Sequence, residues 1–231
     1  MRILAIETAT AVCAAAVIED GSVRKEVTLV EKHVHSEKLL SLIDAVLDRE
    51  RYDAIAVSIG PGSFTGLRIG LSVAKGMAFA GGLPILAVPT LEALAEFAVE
   101  KKAVRPNEDV VAMIDARRND VYAAAYRVTE GKCSLVWGPE ALSVDDVFGR
   151  ISPSGRTVVM GDGVDKFLGR KSKSAGDLVV PPPSDRQCSA ASVGIVGFRM
   201  AQRGEFADLV SLEPLYVRDF VSLVRTQHSS P

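Results

Sequence analysis

Cysteine is scarce in this chain. Its 231 residues hold three, Cys13, Cys133 and Cys188, widely spaced and never as a CxxC pair, which argues against a disulfide frame or a zinc site and for reduced thiols. Histidine is as rare. His33 and His35 flank Val34 and the third is His228, so a metal site built on the HxH pair would need carboxylates from elsewhere. Charge excess is missing too: a formal charge of −2 leaves no global basic surplus to pull a whole domain onto nucleic acid, and any RNA contact must be local or delegated. No apolar run reaches membrane-spanning length, and Glu7 interrupts the first apolar stretch too soon for a signal-peptide core. The expectation is a cytoplasmic chain, neither secreted nor membrane-bound. GxSxG and GxxxxGK[ST] are absent, and no cysteine has a histidine nearby, which removes the standard nucleophile and P-loop chemistries.

What is present is ample apolar content, 48% of residues, enough for one large domain or two small lobes. Residues 3–7, 12–18 and 23–30 read as three successive strands, the second pair joined by the hairpin turn Glu19-Asp20-Gly21-Ser22. A helix over 36–49 carries a broad apolar stripe, Leu39, Leu40, Leu42, Ile43, Val46 and Leu47. A buried strand over 55–59, a helix over 63–80, a short strand over 84–88 and a helix over 90–101 complete the first half. Residues 104–108 look like a boundary. Beyond it the order repeats loosely: strands at 110–115, 121–127 and 133–137, helices at 144–150, 164–168 and 189–203, and strands at 157–160 and 178–180. The predicted fold is therefore α/β and two-lobed, with lobes at 1–103 and 104–231. A duplicated βββαβα unit is the layout of the actin, Hsp70 and sugar-kinase superfamily, which is ribonuclease H-like and holds nucleotide between its lobes.

The densest signal is Gly60-Pro61-Gly62-Ser63-Phe64-Thr65-Gly66-Leu67-Arg68-Ile69-Gly70. Gly60 and Gly62 permit a sharp turn, and Ser63 or Thr65 can satisfy the amides that open a helix. Such a helix start suits a phosphate or a neighbouring helix. Gly62, Gly66, Gly70 and Ala74 also recur every four residues, forming one ridge that lets another backbone approach closely, in the same lobe or across a subunit boundary. In the superfamily the first hairpin places an aspartate before Gly-Thr at the phosphates. Here that turn is Glu7-Thr8-Ala9-Thr10, with the acid kept and the glycine gone. Glu7, Thr8, Thr10, Gly60 and Gly62 are the candidate nucleotide or anion contacts. Asp115-Ala116-Arg117-Arg118-Asn119-Asp120 is a polar hairpin, either a solvated turn or a contact for an anion or partner.

Residues 3–8, His35 to Leu40, the glycine segment, Asp115-Ala116-Arg117 with Val121-Tyr122, and Pro214-Leu215-Tyr216-Val217-Arg218 together resemble the TsaB (YeaZ) family over essentially the whole chain. The resemblance implies a subunit of the machinery that installs threonylcarbamoyl on N6 of the adenosine beside the anticodon in tRNAs reading codons that begin with A. It implies pairing with the catalytic TsaD, which TsaE, an ATPase, joins. TsaD looks like a paralogue, and its Asn-His-Leu-Glu-Gly-His stretch holds the catalytic metal. The matching stretch here is Pro89-Thr90-Leu91-Glu92-Ala93-Leu94. Thr90 and Leu94 occupy the ligand positions, and neither replaces an imidazole.

The resemblance therefore implies a pseudoenzyme with no catalytic residues, no metal, no required cofactor and at most weak ATP or ADP binding at a lobe or subunit cleft. It places the interface on the first two helices, at Leu39, Ile43, Val46, Gly66, Gly70, Val73 and Met77. That surface would take TsaD as a heterodimer or close on a second copy as a homodimer, with tRNA reached through the complex. The alternatives are a glycoprotease-like peptidase acting on its partner and an ATP-dependent small-molecule kinase.

Overall fold

The computed structural model describes residues 1–48, 50–168 and 176–217. The first half runs β1 (Arg2–Glu7), β2 (Val12–Glu19), β3 (Ser22–Val30), α1 (His35–Val46), β4 (Ala54–Gly60), α2 (Phe64–Gly81), β5 (Ile85–Pro89) and α3 (Thr90–Glu100). The second half repeats the order as β6 (Asp109–Asp115), β7 (Asp120–Thr129), β8 (Lys132–Ser143), α4 (Val144–Arg150), β9 (Arg156–Met160), α5 (Val164–Leu168), β10 (Asp177–Val179), a 3-10 turn (Pro183–Asp185) and α6 (Ala190–Gln202).

Each half builds one five-stranded mixed sheet, in the orders β3-β2-β1-β4-β5 and β10-β9-β6-β7-β8. The correspondence is strand for strand. β1 pairs antiparallel with β2 and parallel with β4, as β6 does with β7 and β9. A strand flanked on both sides and covered on both faces reads as an unbroken apolar run. Accordingly Ile3 to Ile6 in β1 and Val12 to Ile18 in β2 are buried without alternation.

Three apolar layers result. α1 and α2 cover the outer face of the first sheet, around Leu4, Ile6, Val17, Leu39, Ile43 and Leu71. α4 and α5 cover the outer face of the second, around Val111, Met113, Val147 and Val164. The central layer holds α3 and α6 with the inner faces of both sheets. Burial of each large side chain in these layers contributes about 1.5–3 kcal/mol.

The central layer joins the two halves on either side of 103/104. α6, from the second half, lies on the first sheet: a Cβ on Gly197 would meet Ala56 Cβ at 2.7 Å, and one on Gly194 would meet Ala5 Cβ at 3.0 Å. The alanines of β1, β2 and β4 keep that face shallow enough for the helix backbone. α3, from the first half, packs Leu94 against Gly161 of the second. Glu96 of α3, 2% exposed, pairs bidentately with Arg199 of α6, and Glu26 of β3 accepts from Ser189 Oγ (2.9 Å) and Ala191 N (3.0 Å) at the α6 start. Each sheet is thus completed by a helix from the other half.

After α6 the chain returns to the first sheet as a strap over residues 206–217. Ala207 N donates to Ile85 O (2.9 Å) and Leu215 N to Ile59 O (2.7 Å), while Lys75 Nζ of α2 holds Val210 O (3.2 Å) and Leu212 O (3.1 Å). No helix among the described residues is long and apolar enough to cross a membrane.

Candidate functional site

The glycine segment opens where β4 ends. Gly60 has a φ of +120°, a conformation that excludes most side chains, and a Cβ there would also strike Leu215 O at 2.7 Å. Gly60 N donates to Thr90 Oγ1 (3.0 Å), and Ser63 caps α2 by accepting from Gly66 N (3.2 Å). The remaining glycines face the β1–β2 turn of the same chain. A Cβ on Gly62 would run into Ala9 O, one on Gly66 into Thr8 O, and one on Gly70 into Thr8 Oγ1; Ser63 N donates to Ala9 O at 2.6 Å. The four-residue ridge is therefore a seat for Thr8 and Ala9.

Most of the expected interface set lies inside this chain. Gly66 and Gly70 are buried under Thr8, and Leu39, Ile43 and Val46 are at most 2% exposed because they point from α1 into the first sheet. An apolar stripe on an amphipathic helix marks its core face. Val73 and Met77 are half-buried between α1 and α2. The outward surface of the two helices includes instead Leu40, 62% exposed, and Phe79, 81% exposed, with Ser72, Gly76 and Ala80, and a Cβ on Gly76 would meet nothing within 4 Å.

Glu7 lies at the end of β1, fully buried. Its Oε1 accepts from Ala9 N (2.5 Å), and its Oε2 and the Thr8 hydroxyl have no hydrogen-bond partner among the described residues. Burial pushes its carboxyl up to about 7, against the pull of the Ala9 amide, the nearby Ser58 hydroxyl and the Thr8 amide. Of the expected nucleotide contacts, Glu7, Thr8 and Gly60 are buried, Gly62 is packed on Ala9, and Thr10, half-buried, accepts from Val12 N (3.2 Å). Thr8 and Ala9 of this turn lie against Gly62, Gly66 and Gly70 at the start of α2.

Thr90 and Leu94 are both fully buried. Thr90 pins the Gly60 amide, and a Cβ on Gly161 (φ +101°) would sit 2.8 Å from Leu94 Cδ2. His33 is exposed in the left-handed region (φ 67°), whereas His35 is buried with Nε2 3.1 Å from Val12 O. No group of three His, Cys, Asp or Glu side chains fit to hold a metal occurs among the described residues; His228 lies outside them. Burial pushes the Cys13 thiol up to about 11 and that of Cys133 to about 12, and raises that of Cys188 as well. At the β6–β7 hairpin Asp115 Oδ1 accepts from Arg117 N (2.6 Å) and Lys166 Nζ (2.5 Å), and Asp115 N donates to Asp162 Oδ1 (2.9 Å).

Sequence reasoning missed the strap. Its sequence gives no alternation, since Asp208 is followed by the apolar pair Leu209-Val210, and the chain turns at residues 209–211. Tyr216 packs on Phe64 with ring centroids 5.5 Å apart and its hydroxyl accepts from Arg68 Nε (3.2 Å), while Arg218 of the quoted motif lies outside the described residues.

Two mixed sheets of matching order, with helices outside and between them, define a duplicated α/β fold of the actin and sugar-kinase kind, in which Thr8 and Ala9 of the β1–β2 turn are seated on the glycines of α2. Residues 23–173 match the family model TsaD, tRNA N6-adenosine threonylcarbamoyltransferase. The chain is 32% identical to the tRNA threonylcarbamoyladenosine biosynthesis protein TsaB of Escherichia coli over 96% of both, and 36% identical to that of Haemophilus influenzae over about half of each. It is also similar to a solved structure, YeaZ from Pseudomonas aeruginosa, with a TM-score of 0.77 and 28% identity over 93% of this chain and 99% of that one. The chain belongs to the TsaB (YeaZ) family.

Proposed function

We propose that this chain acts in tRNA threonylcarbamoyladenosine biosynthesis as a non-catalytic partner subunit, holding TsaD active while threonylcarbamoyl passes from threonylcarbamoyl-AMP to N6 of the adenosine beside the anticodon. The observation that carries it is the use made of Thr90 and Leu94. The positions that match the metal-binding histidines of TsaD are spent on a hydrogen bond to Gly60 and on packing against Gly161. In this account the chemistry belongs to TsaD, TsaE joins the pair, tRNA is reached through the complex, and the chain works in the cytoplasm.

The partner docks on the outward face of α1 and α2, across Leu40, Val73, Gly76 and Met77, and without TsaD a second copy takes its place. The open space over Gly76 supports this placement, because a small residue on an exposed helix face lets a facing helix approach closely. No nucleotide is required, and ATP or ADP binds weakly at most, in keeping with the burial of Glu7 and Thr8. Burial of Cys13 and Cys188, with all three thiols raised, argues against a cysteine peptidase, and the packing of Thr8 and Ala9 on α2 argues against a small-molecule kinase. Reconstituting the transfer with and without this chain tests the proposal.

A further inference from the structure

Arginines that the structure holds in place are mostly held by carboxylates, as Arg150 is by Glu140 and Arg203 by Glu205. Arg68 is held without one. Its guanidinium carbon lies 3.8 Å from the centroid of the Phe64 ring, one turn back on α2, and its Nε donates to the Tyr216 hydroxyl of the strap at 3.2 Å. Tyr216 packs in turn on Phe64, with ring centroids 5.5 Å apart and planes inclined by 31°. Each of the three side chains thus touches the other two. Arg68 and Tyr216 stay exposed within the cluster.

Such an arrangement fixes a cation without neutralising it. An aromatic face and a hydroxyl orient the guanidinium, and its two terminal nitrogens donate to no described residue. The first turn of α2 holds no acidic residue, and Arg68 makes no ion pair among the described residues, Glu213 of the strap included. A carboxylate or a phosphate would satisfy the charge equally. The rings favour the phosphate of a nucleic acid, because an arginine plane beside an exposed tyrosine gives flat faces on which unpaired bases stack and for which a carboxylate has no use. A formal charge of −2 over the chain allows a local RNA contact of this kind and no broad one. Gly76 of the face proposed for TsaD lies two turns further along α2, about 12 Å away.

We infer that Phe64, Arg68 and Tyr216 hold RNA directly, the Arg68 guanidinium on a backbone phosphate and an unpaired base stacked on the Tyr216 ring. The RNA is the tRNA of the role proposed above, on which this reading rests, and the chain itself then touches the substrate. The test uses the complex of the full chain with TsaD and TsaE. Labelled tRNA is titrated by anisotropy at two salt concentrations, and ultraviolet crosslinks to it are mapped by mass spectrometry. Crosslinks should fall on the peptides that carry Phe64 and Tyr216. Arg68→Ala and Tyr216→Ser should each weaken binding roughly tenfold, Arg68→Ala with a shallower salt dependence. Arg68→Lys, which keeps the charge and loses the stacked plane, should fall between. Arg150→Ala, whose guanidinium is already paired with Glu140, should bind as the parent does. Unchanged affinity in both Arg68→Ala and Tyr216→Ser, crosslinks confined to TsaD or TsaE, displacement of the tRNA by ADP, or loss of TsaD pairing by Arg68→Ala in light scattering would overturn the inference. Transfer that proceeds equally well without this chain would sink the proposed role instead. If transfer needs the chain while Arg68→Ala and Tyr216→Ser bind tRNA normally, the RNA contact alone fails.

Discussion

The hydroxyl of Thr90 accepts a hydrogen bond from the amide of Gly60 at 3.0 Å, both groups buried. That contact ties the first residue of α3 to the turn that opens the glycine segment. Thr90→Val keeps the shape and leaves the Gly60 amide without its partner, which should cost about 1–3 kcal/mol. Urea unfolding of the variant measures it. Placing imidazoles at both positions, T90H with L94H, should lower stability further, because Leu94 sits in an apolar layer without polar partners, and should confer no tight zinc or iron binding by calorimetry.

Gly66→Leu and Gly70→Leu should each destabilise the monomer by about 3 kcal/mol or more, because the added atoms collide with Thr8 of the β1–β2 turn. Gly76→Leu should melt no lower than the parent, since its Cβ meets nothing and leucine is the better helix former. If that surface is where TsaD docks, Gly76→Leu alone should abolish pairing in light scattering while the fold persists. Thermal melts alongside light scattering separate the two effects.

Glu7 predicts a pH dependence of known sign. Its folded carboxyl is raised from 4.5 to about 7, so between those values the folded state holds a proton that the unfolded state has lost. Stability contributed by this group is full below about pH 4.5 and falls as pH rises toward 7, by roughly 3 kcal/mol in total. Glu100 of α3, also raised to about 7 chiefly by burial, acts in the same direction. Glu7→Gln keeps an acceptor for the Ala9 amide and removes the ionisation. The difference between its unfolding free energy and that of the parent should therefore favour the variant increasingly from pH 5 to 8; a flat difference contradicts the assignment.

Arg199→Met should be more damaging than its partly exposed position suggests. It leaves Glu96, 2% exposed, without its bidentate partner between α3 and α6, and breaking one side of a buried pair costs about 3–5 kcal/mol. The double variant E96Q/R199M should recover part of that loss in a denaturant cycle.

The duplicated order of strands and helices was legible in the sequence because each strand is an apolar run closed by turn residues, and the second half repeats the first. The exchange of α3 and α6 between the sheets was not. α6 is apolar around most of its circumference and α3 around all but the Glu92, Glu96 and Glu100 stripe, and periodicity says that such a helix is buried without saying against which sheet. The glycine ridge was legible as a close-approach surface, yet its partner, Thr8 and Ala9, lies more than fifty residues away in the chain. Leu39, Ile43 and Val46 were read as interface because an apolar stripe serves a core or a partner equally well on paper. Leu40 reads as one member of that stripe, and only the structure shows that it is exposed while its neighbour Leu39 is buried.

The central claim is that catalysis resides in TsaD and that this chain enables it without a metal site of its own. The direct measurement is the rate of threonylcarbamoyl transfer to tRNA from threonylcarbamoyl-AMP by TsaD and TsaE, with no addition, with this chain, and with its Gly76→Leu variant. The account predicts transfer only with the parent chain, no transfer by the parent chain without TsaD, and a rate near background for the variant. Equal transfer without this chain, or transfer by this chain alone, would contradict it.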